Sequence, residues 1–222
     1  RYQIARQSFQ KAVELDPKLA EGYTALAELA VSASPSDIDE AINLGELAIQ
    51  VDPANYGSRR ILARLYTFKS RLNGGMLDQL FADKAITGWK EIAKLDPRNA
   101  EAWAFLSEFY GKTGNKVERL NALRKWVSSA SPVDTQFFRL VMGSQKSLAP
   151  ESASVSLAQA LLDAGNVREA IEIVGTVIAD DPGNREALEL LSTAVESADP
   201  SISSIAIDNL QQAVFSNPEN IP

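Results

Sequence analysis

A spacing of four, three and five residues recurs along this chain and decides what it can fold into. Ala5, Phe9, Ala12 and Pro17 set the spacing, and Ala41, Gly45, Ala48 and Pro53 repeat it. Ala85, Trp89, Ile92 and Pro97 follow, then Ala170, Val174, Val177 and Pro182, and last Ala206, Leu210, Ala213 and Pro218. Arg119, Leu123, Trp126 and Ser131 keep the spacing without the Ala, and their proline comes one place late at Pro132. Between these units lies a second pattern with offsets of three, one and three: Tyr23, Leu26, Ala27, Ala30, then Arg59, Leu62, Ala63, Tyr66. Trp103, Leu106, Ser107, Tyr110 repeat it, as do Ser154, Leu157, Ala158, Leu161 and Leu188, Leu191, Ser192, Val195.

Offsets of three and four place the marked residues on one face of a helix. A small residue beside each Leu lets a second helix come close. The proline ends the second helix of each pair, because the residue before it is driven out of the helical region. Gly114-Asn115 and Gly165-Asn166 stand where first helices must stop, with residues that tolerate a left-handed C-cap. The pattern predicts an all-α chain of antiparallel helix hairpins.

Trp103-x2-Leu106-Ser107-x2-Tyr110 and the run from Ala170 through Val174 to Pro182 resemble the tetratricopeptide repeat family. The resemblance covers nearly the whole chain, about five full repeats behind a leading half repeat. It implies a right-handed superhelical solenoid in which the first helix of each hairpin lines a concave groove.

The departures from that pattern carry their own expectations. Pro17 to Pro53 and Pro182 to Pro218 are each 36 apart, against about 34 in the family. Each longer unit has a Pro-Ser in its turn, Pro35-Ser36 and Pro200-Ser201, with Ser34 and Asp199 placed as N-caps. From Pro53 to Pro97 the interval is 44, with Asn73-Gly74-Gly75 marking the turn. The extra residues predict a hairpin at 55–95 in which both helices are lengthened. Residues 133–150 fit no repeat, yet Val133, Phe137, Leu140 and Val141 have helical spacing, so one unpaired helix is expected there. The sequence thus divides into a stack at 1–132 (a half repeat plus three repeats), a non-repeat helix and linker at 133–150, and a stack of two repeats at 151–222. One continuous superhelix with a degenerate repeat at 133–150 is the other reading of the same pattern. At the N-terminus a second helix begins without its partner, leaving the face of Ile4, Phe9 and Val13 short of a cover. Upstream sequence or self-association through this half repeat supplies one.

Composition narrows the function. The chain of 222 residues has no His and no Cys, which removes Ser-His-Asp triads, Cys-His pairs, Cys/His zinc sites and iron–sulfur clusters. With 22 Lys+Arg against 29 Asp+Glu the net charge is −7, the wrong sign for a nucleic-acid backbone. No stretch approaches the length of a membrane span, so membrane insertion is not expected. The sequence begins at Arg1 without a Met or an apolar leader, which reads as a fragment or a processed product. Both a cytoplasmic and a periplasmic or exported location suit it.

The acidic clusters have structural explanations. Asp180-Asp181-Pro182 sits at a helix-ending turn, and Asp37, Asp39 and Glu40 sit at a helix start, where carboxylates favour the positive end of the dipole. No catalytic residue, cofactor or metal site is expected, and Trp89, Trp103 and Trp126 occupy packing positions. What remains is binding. By the family resemblance, the groove-facing positions are Thr24, Ala25 and Glu28, then Gly57, Arg60, Ile61, Arg64, Thr67 and Phe68, then Glu101, Ala104, Phe105, Glu108 and Lys112. Ser152, Val155, Gln159, Leu162, Glu186, Glu189, Thr193 and Glu196 follow. The Lys and Asn clamp of chaperone-docking members is absent, since Glu28 and Glu101 stand at two of its positions. Arg60 and Arg64, with Phe68 and Phe105, suit a peptide with an acidic and an aromatic side chain, or else pair with Glu28, Glu101 or Glu108. The reading is a non-catalytic scaffold that holds a protein or peptide partner in the concave groove. An accessory domain that positions substrate or subunits in a larger enzyme or cell-envelope assembly is the alternative.

Overall fold

The computed structural model describes residues 1–33, 37–71, 76–133, 135–143 and 146–197, together with 203–205, 207–208, 211 and 215. The turns at Ser34-Pro35-Ser36, Asn73-Gly74-Gly75 and Asp199-Pro200-Ser201 lie outside the described residues, as do Ala206, Leu210, Ala213 and Pro218 of the last repeat copy. The elements among the described residues are α-helices, as the spacing predicts. By packing, the chain divides into two compact units, residues 1–97 and 98–222. This division is a different one from the division by sequence pattern at 132 and 151.

The first unit holds α1 (Tyr2–Leu15), α2 (Ala20–Ala33), α3 (Ile38–Val51), α4 (Tyr56–Lys69) and α5 (Gln79–Leu95). Each helix packs on the next in sequence, and α2 also packs on α4. The turn between hairpins is written into an Asp-Pro-x-Asn cassette. Asp52 ends α3 in extended conformation, its carboxylate accepts from the Ala54 N–H at 3.0 Å, and Asn55 then caps α4 by accepting from the Ser58 N–H at 2.9 Å. After Pro97, Asn99 caps the next helix in the same way, accepting from the Ala102 N–H at 2.8 Å. Such a cap stabilises a helix end by about 1 kcal/mol. The small residues beside Leu26 and Leu62 are buried, and Ala63 explains why. A Cβ at Gly88 on α5 would stand 3.0 Å from the Ala63 Cβ, so larger side chains would hold the two helices apart.

The long interval from Pro53 to Pro97 is spent differently from the sequence expectation. α4 keeps 14 residues, as α2 and α3 do, and only α5 is longer, at 17. Ser70 already closes α4, its N–H donating to the Tyr66 carbonyl, and Asp78 opens α5 by accepting from the Phe81 N–H. The remaining extra length falls in the connection between them.

The second unit holds α6 (Ala100–Lys112), α7 (Lys116–Ser129), α8 (Gln136–Met142), α9 (Pro150–Asp163), α10 (Val167–Asp180) and α11 (Arg185–Ser197). Gly114 and Gly165 close α6 and α9 at φ 74° and 79°. The following N–H groups, Asn115 and Asn166, return to the carbonyls of Tyr110 and Leu161 at 2.9 and 2.8 Å. These are Schellman closures, where a Cβ would be strained. The hairpin partner of α9 is α10, but α9 also packs directly on α7, passing over α8. The Ser131 N–H donates to the Leu148 carbonyl at 2.8 Å, so residues 132–147 leave the stack and return to it at one point. α8 is the unpaired helix expected from Phe137, Leu140 and Val141. Its Phe138 is fully buried, edge-on to Phe105 and Trp126 at 5.4 and 6.4 Å between centroids.

Candidate functional site

The excursion through α8 decides what part of the second unit is open. Thr135 caps α8 by accepting from the Phe138 N–H, and its hydroxyl donates to the Glu101 carboxylate at 3.2 Å. Glu101 is 3% exposed, and Phe105, against Phe137 and Phe138, is 0% exposed. Both residues were expected to face a groove. They are instead the seat of α8, because an inserted helix covers the stretch of α6 that a regular repeat would leave open.

One and two turns further along α6 the surface opens into a cleft of about 630 Å³. Glu108 and Lys112 of α6 line it, with Val155, Ser156 and Gln159 of α9 and Glu186, Glu189, Leu190 and Thr193 of α11. Arg119, Leu123 and Trp126 of α7, with Met142 and Lys146 from the excursion, complete the wall. Asn99, Asn115 and Asn184 fix where α6, α7 and α11 begin, and the Schellman closures fix where α6 and α9 end.

The cleft has an apolar floor of Leu123, Trp126, Met142, Val155 and Leu190 beneath a charged rim. The rim charges are paired. Lys112 lies 3.7 Å from Glu108, Lys146 is 2.9 Å from Glu186, Arg185 is 3.1 Å from Glu189, and Arg119 is 3.3 Å from Asp163. Gln159 is exposed and donates to Asp163 at 2.9 Å. Exposed pairs of this kind contribute only about 0.2–1 kcal/mol each, so they shape the rim more than they hold the fold.

The other expected residues belong to the first unit. Thr24 is half-buried, its hydroxyl 2.7 Å from that of Ser58 on the neighbouring α4, and Glu28 is exposed. Arg60, Arg64 and Phe68 are half-buried along α4, and both arginines have interaction partners. The first unit also holds a smaller apolar groove of about 360 Å³ between α4 and α5, lined by Leu62, Tyr66, Leu80 and Lys84 among others. Its polar groups satisfy one another. The Tyr66 hydroxyl donates to Glu46 at 2.6 Å, and Lys84 reaches the same carboxylate oxygen at 3.3 Å while lying over the Tyr66 ring. Tyr66 holds the Glu46 carboxyl below its ordinary value, with Lys84 helping, and burial pushes the Tyr66 phenol above its own.

Comparison with known proteins places this architecture. No curated protein matches the chain by sequence. Among solved structures, YrrB, described as a tetratricopeptide-repeat protein with an unusual peptide-binding site, aligns over 97% of this chain and 95% of its own, at 17% identity and TM-score 0.62. A MamA protein aligns over 90% of this chain and 92% of its own, at 18% identity and TM-score 0.61. At such identities the likeness is one of fold. The tetratricopeptide repeat family model itself matches residues 155–199, which contain α10, α11 and most of α9. Residues 155–199 thus match the tetratricopeptide repeat, and over nearly its whole length the chain shares the fold of a tetratricopeptide-repeat protein.

Glu108, Lys112, Val155, Gln159, Glu186, Glu189 and Thr193 line this cleft and were expected to face a groove from their first-helix repeat positions. Arg119, Leu123 and Trp126 were not, because α7 is a second helix whose marked positions read as core. Met142 and Lys146 lie in the segment that fits no repeat. That misfit was the only signal of them.

Proposed function

We propose that this chain is a non-catalytic scaffold that holds a peptide, or an extended segment of a partner protein, in the cleft of its second unit. The observation that carries this reading is the cleft itself: side chains from the first helices α6, α9 and α11, over an apolar floor, beneath a rim of paired charges. Concave sites with an apolar body and few placed polar groups are the usual form of a binding pocket. YrrB, similar in fold, carries a peptide-binding site. The net charge of −7 favours a protein partner over nucleic acid.

Thr24, Glu28, Arg60, Arg64 and Phe68 form a second, subsidiary surface on the first unit in this proposal. Self-association is a further part of it. α1 has no buried residue, and Ile4 is 69% and Leu15 75% exposed. An Ile4→Glu chain is then expected to sediment as a smaller species than the wild type at equal concentration.

The test of the main proposal is selection of a random decapeptide library against the intact chain, followed by hydrogen exchange with a selected peptide. Slowed exchange in α6, α9 and α11 is the expected result. Slowing confined to the first unit, or no enriched peptide, contradicts it.

A further inference from the structure

The two most buried indoles of the molecule differ in one respect that bears on the cleft. Trp89 in the first unit is fully buried, and its N–H donates to the Thr67 hydroxyl at 2.8 Å. Trp126 on α7 is 2% exposed and lines the cleft, yet its indole N–H is shut from water and has no acceptor. Buried indole N–H groups usually find a partner, and one left without pays the full loss of its hydration. A donor kept in that condition beside a cleft is matched by an acceptor that comes with a ligand.

The rim narrows the ligand further. Lys112, Arg119 and Lys146 each face a carboxylate, and Glu189 faces Arg185. A charged group entering the cleft has to break one of these pairs, whereas an uncharged one leaves all of them intact. The floor of Leu123, Met142, Val155 and Leu190 accepts a large apolar side chain. Met142 is the most adaptable of these residues.

Resting on the peptide-binding reading above, we infer that the cleft selects an uncharged peptide segment with a large apolar side chain, and that Trp126 donates its indole N–H to a backbone carbonyl of that segment. The site takes an internal stretch of chain and not a terminal carboxylate. Trp126 is thereby a specificity-determining residue on a second helix, where repeat logic places only core.

The experiment uses the intact chain labelled with nitrogen-15, with the indole signals assigned from Trp103→Phe and Trp126→Phe. The probes are N-acetyl-leucine methylamide, N-acetyl-leucine with its free carboxylate, and N-acetyl-lysine methylamide. With the uncharged probe the Trp126 indole proton moves downfield and saturates, the Trp89 indole stays still, and either charged probe needs about fivefold more for the same effect, the worth of one hydrogen bond. Trp126→Phe binds the uncharged probe about fivefold more weakly. If that variant does not fold, Trp89→Phe and Trp103→Phe leave the third indole signal identified in chains that keep Trp126. Shifts at Val155 and Leu190 without movement of the Trp126 indole, or equal binding of the charged probes, overturn the inference and leave the peptide-binding reading standing. No response anywhere in the cleft to any probe overturns both.

Discussion

Trp89 and Trp126 show two ways of burying the same side chain in one molecule. Around Trp89 the polar groups form a closed chain, the indole donating to Thr67 and the Thr67 hydroxyl donating to the Ala63 carbonyl at 2.8 Å. Around Trp126 the packing is aromatic, with Phe138 edge-on, and the N–H is left over. The first arrangement locks a hairpin and asks for nothing more. The second belongs to a unit whose stack is interrupted by an inserted helix, and there the leftover donor borders an open cleft. A buried polar group is therefore informative in proportion to how poorly it is satisfied.

The largest expected effect comes from removing the aromatic seat of the second unit. Phe138→Ala deletes a fully buried ring and should cost about 3–5 kcal/mol, read from the urea midpoint. A loss under about 1 kcal/mol would show that α8 is a loosely held appendage. Next in size is Thr67→Val, which makes the environment of Trp89 like that of Trp126. It should cost about 1–3 kcal/mol. A neutral result would mean that orphan indoles are cheap in this fold and would remove the meaning attached to Trp126.

The smallest effect concerns the satisfied cluster of the first unit, Glu46 with Tyr66 and Lys84. The Glu46 carboxyl is held below its ordinary value of 4.5, first by the Tyr66 hydroxyl. Its contribution is present above the unfolded-state value and is lost as pH falls through the lower folded-state value. Tyr66 is raised, chiefly by burial, so its contribution is present below about pH 10 and fades at higher pH. Wild type and Glu46→Gln should differ in Tm at pH 7 by no more than an exposed pair provides, about 0.2–1 kcal/mol. The two melting curves should converge as pH falls through the lowered folded-state value of Glu46. A difference that persists at pH 2 contradicts the ionic account.

The hairpins, and the first-helix residues that line the cleft, follow from one spacing that fixes them together. Ala63 must be small, Pro53 must end a helix, and Gln159 and Glu189 then fall on first-helix faces. The inserted helix was legible only as a misfit. Nothing in the spacing of 133–150 says that Thr135 will bond Glu101 or that Phe138 will cover Phe105, since both are contacts across about 33 residues of chain. Groove assignment by repeat position failed at Glu101 and Phe105 for that reason, and at Ile61, Thr67 and Ala104, which are buried within their own units. The same local rule placed the long hairpin's extra residues in both helices, when capping at Ser70 and Asp78 leaves α4 at 14 residues and divides the extra length between α5 and the connection.

The central claim is that binding belongs to the cleft of the second unit. It is tested most directly by titrating a selected decapeptide, by calorimetry, into wild type, Gln159→Trp and Glu28→Trp. Both substituted positions are exposed first-helix sites, so both chains should fold, with melting points near wild type. An indole at 159 fills the cleft and should weaken binding at least about 100-fold, or about 2.7 kcal/mol. An indole at 28, on the first unit, should leave Kd within about twofold. Equal affinity for the Gln159→Trp chain, or loss of binding only in Glu28→Trp, contradicts the account.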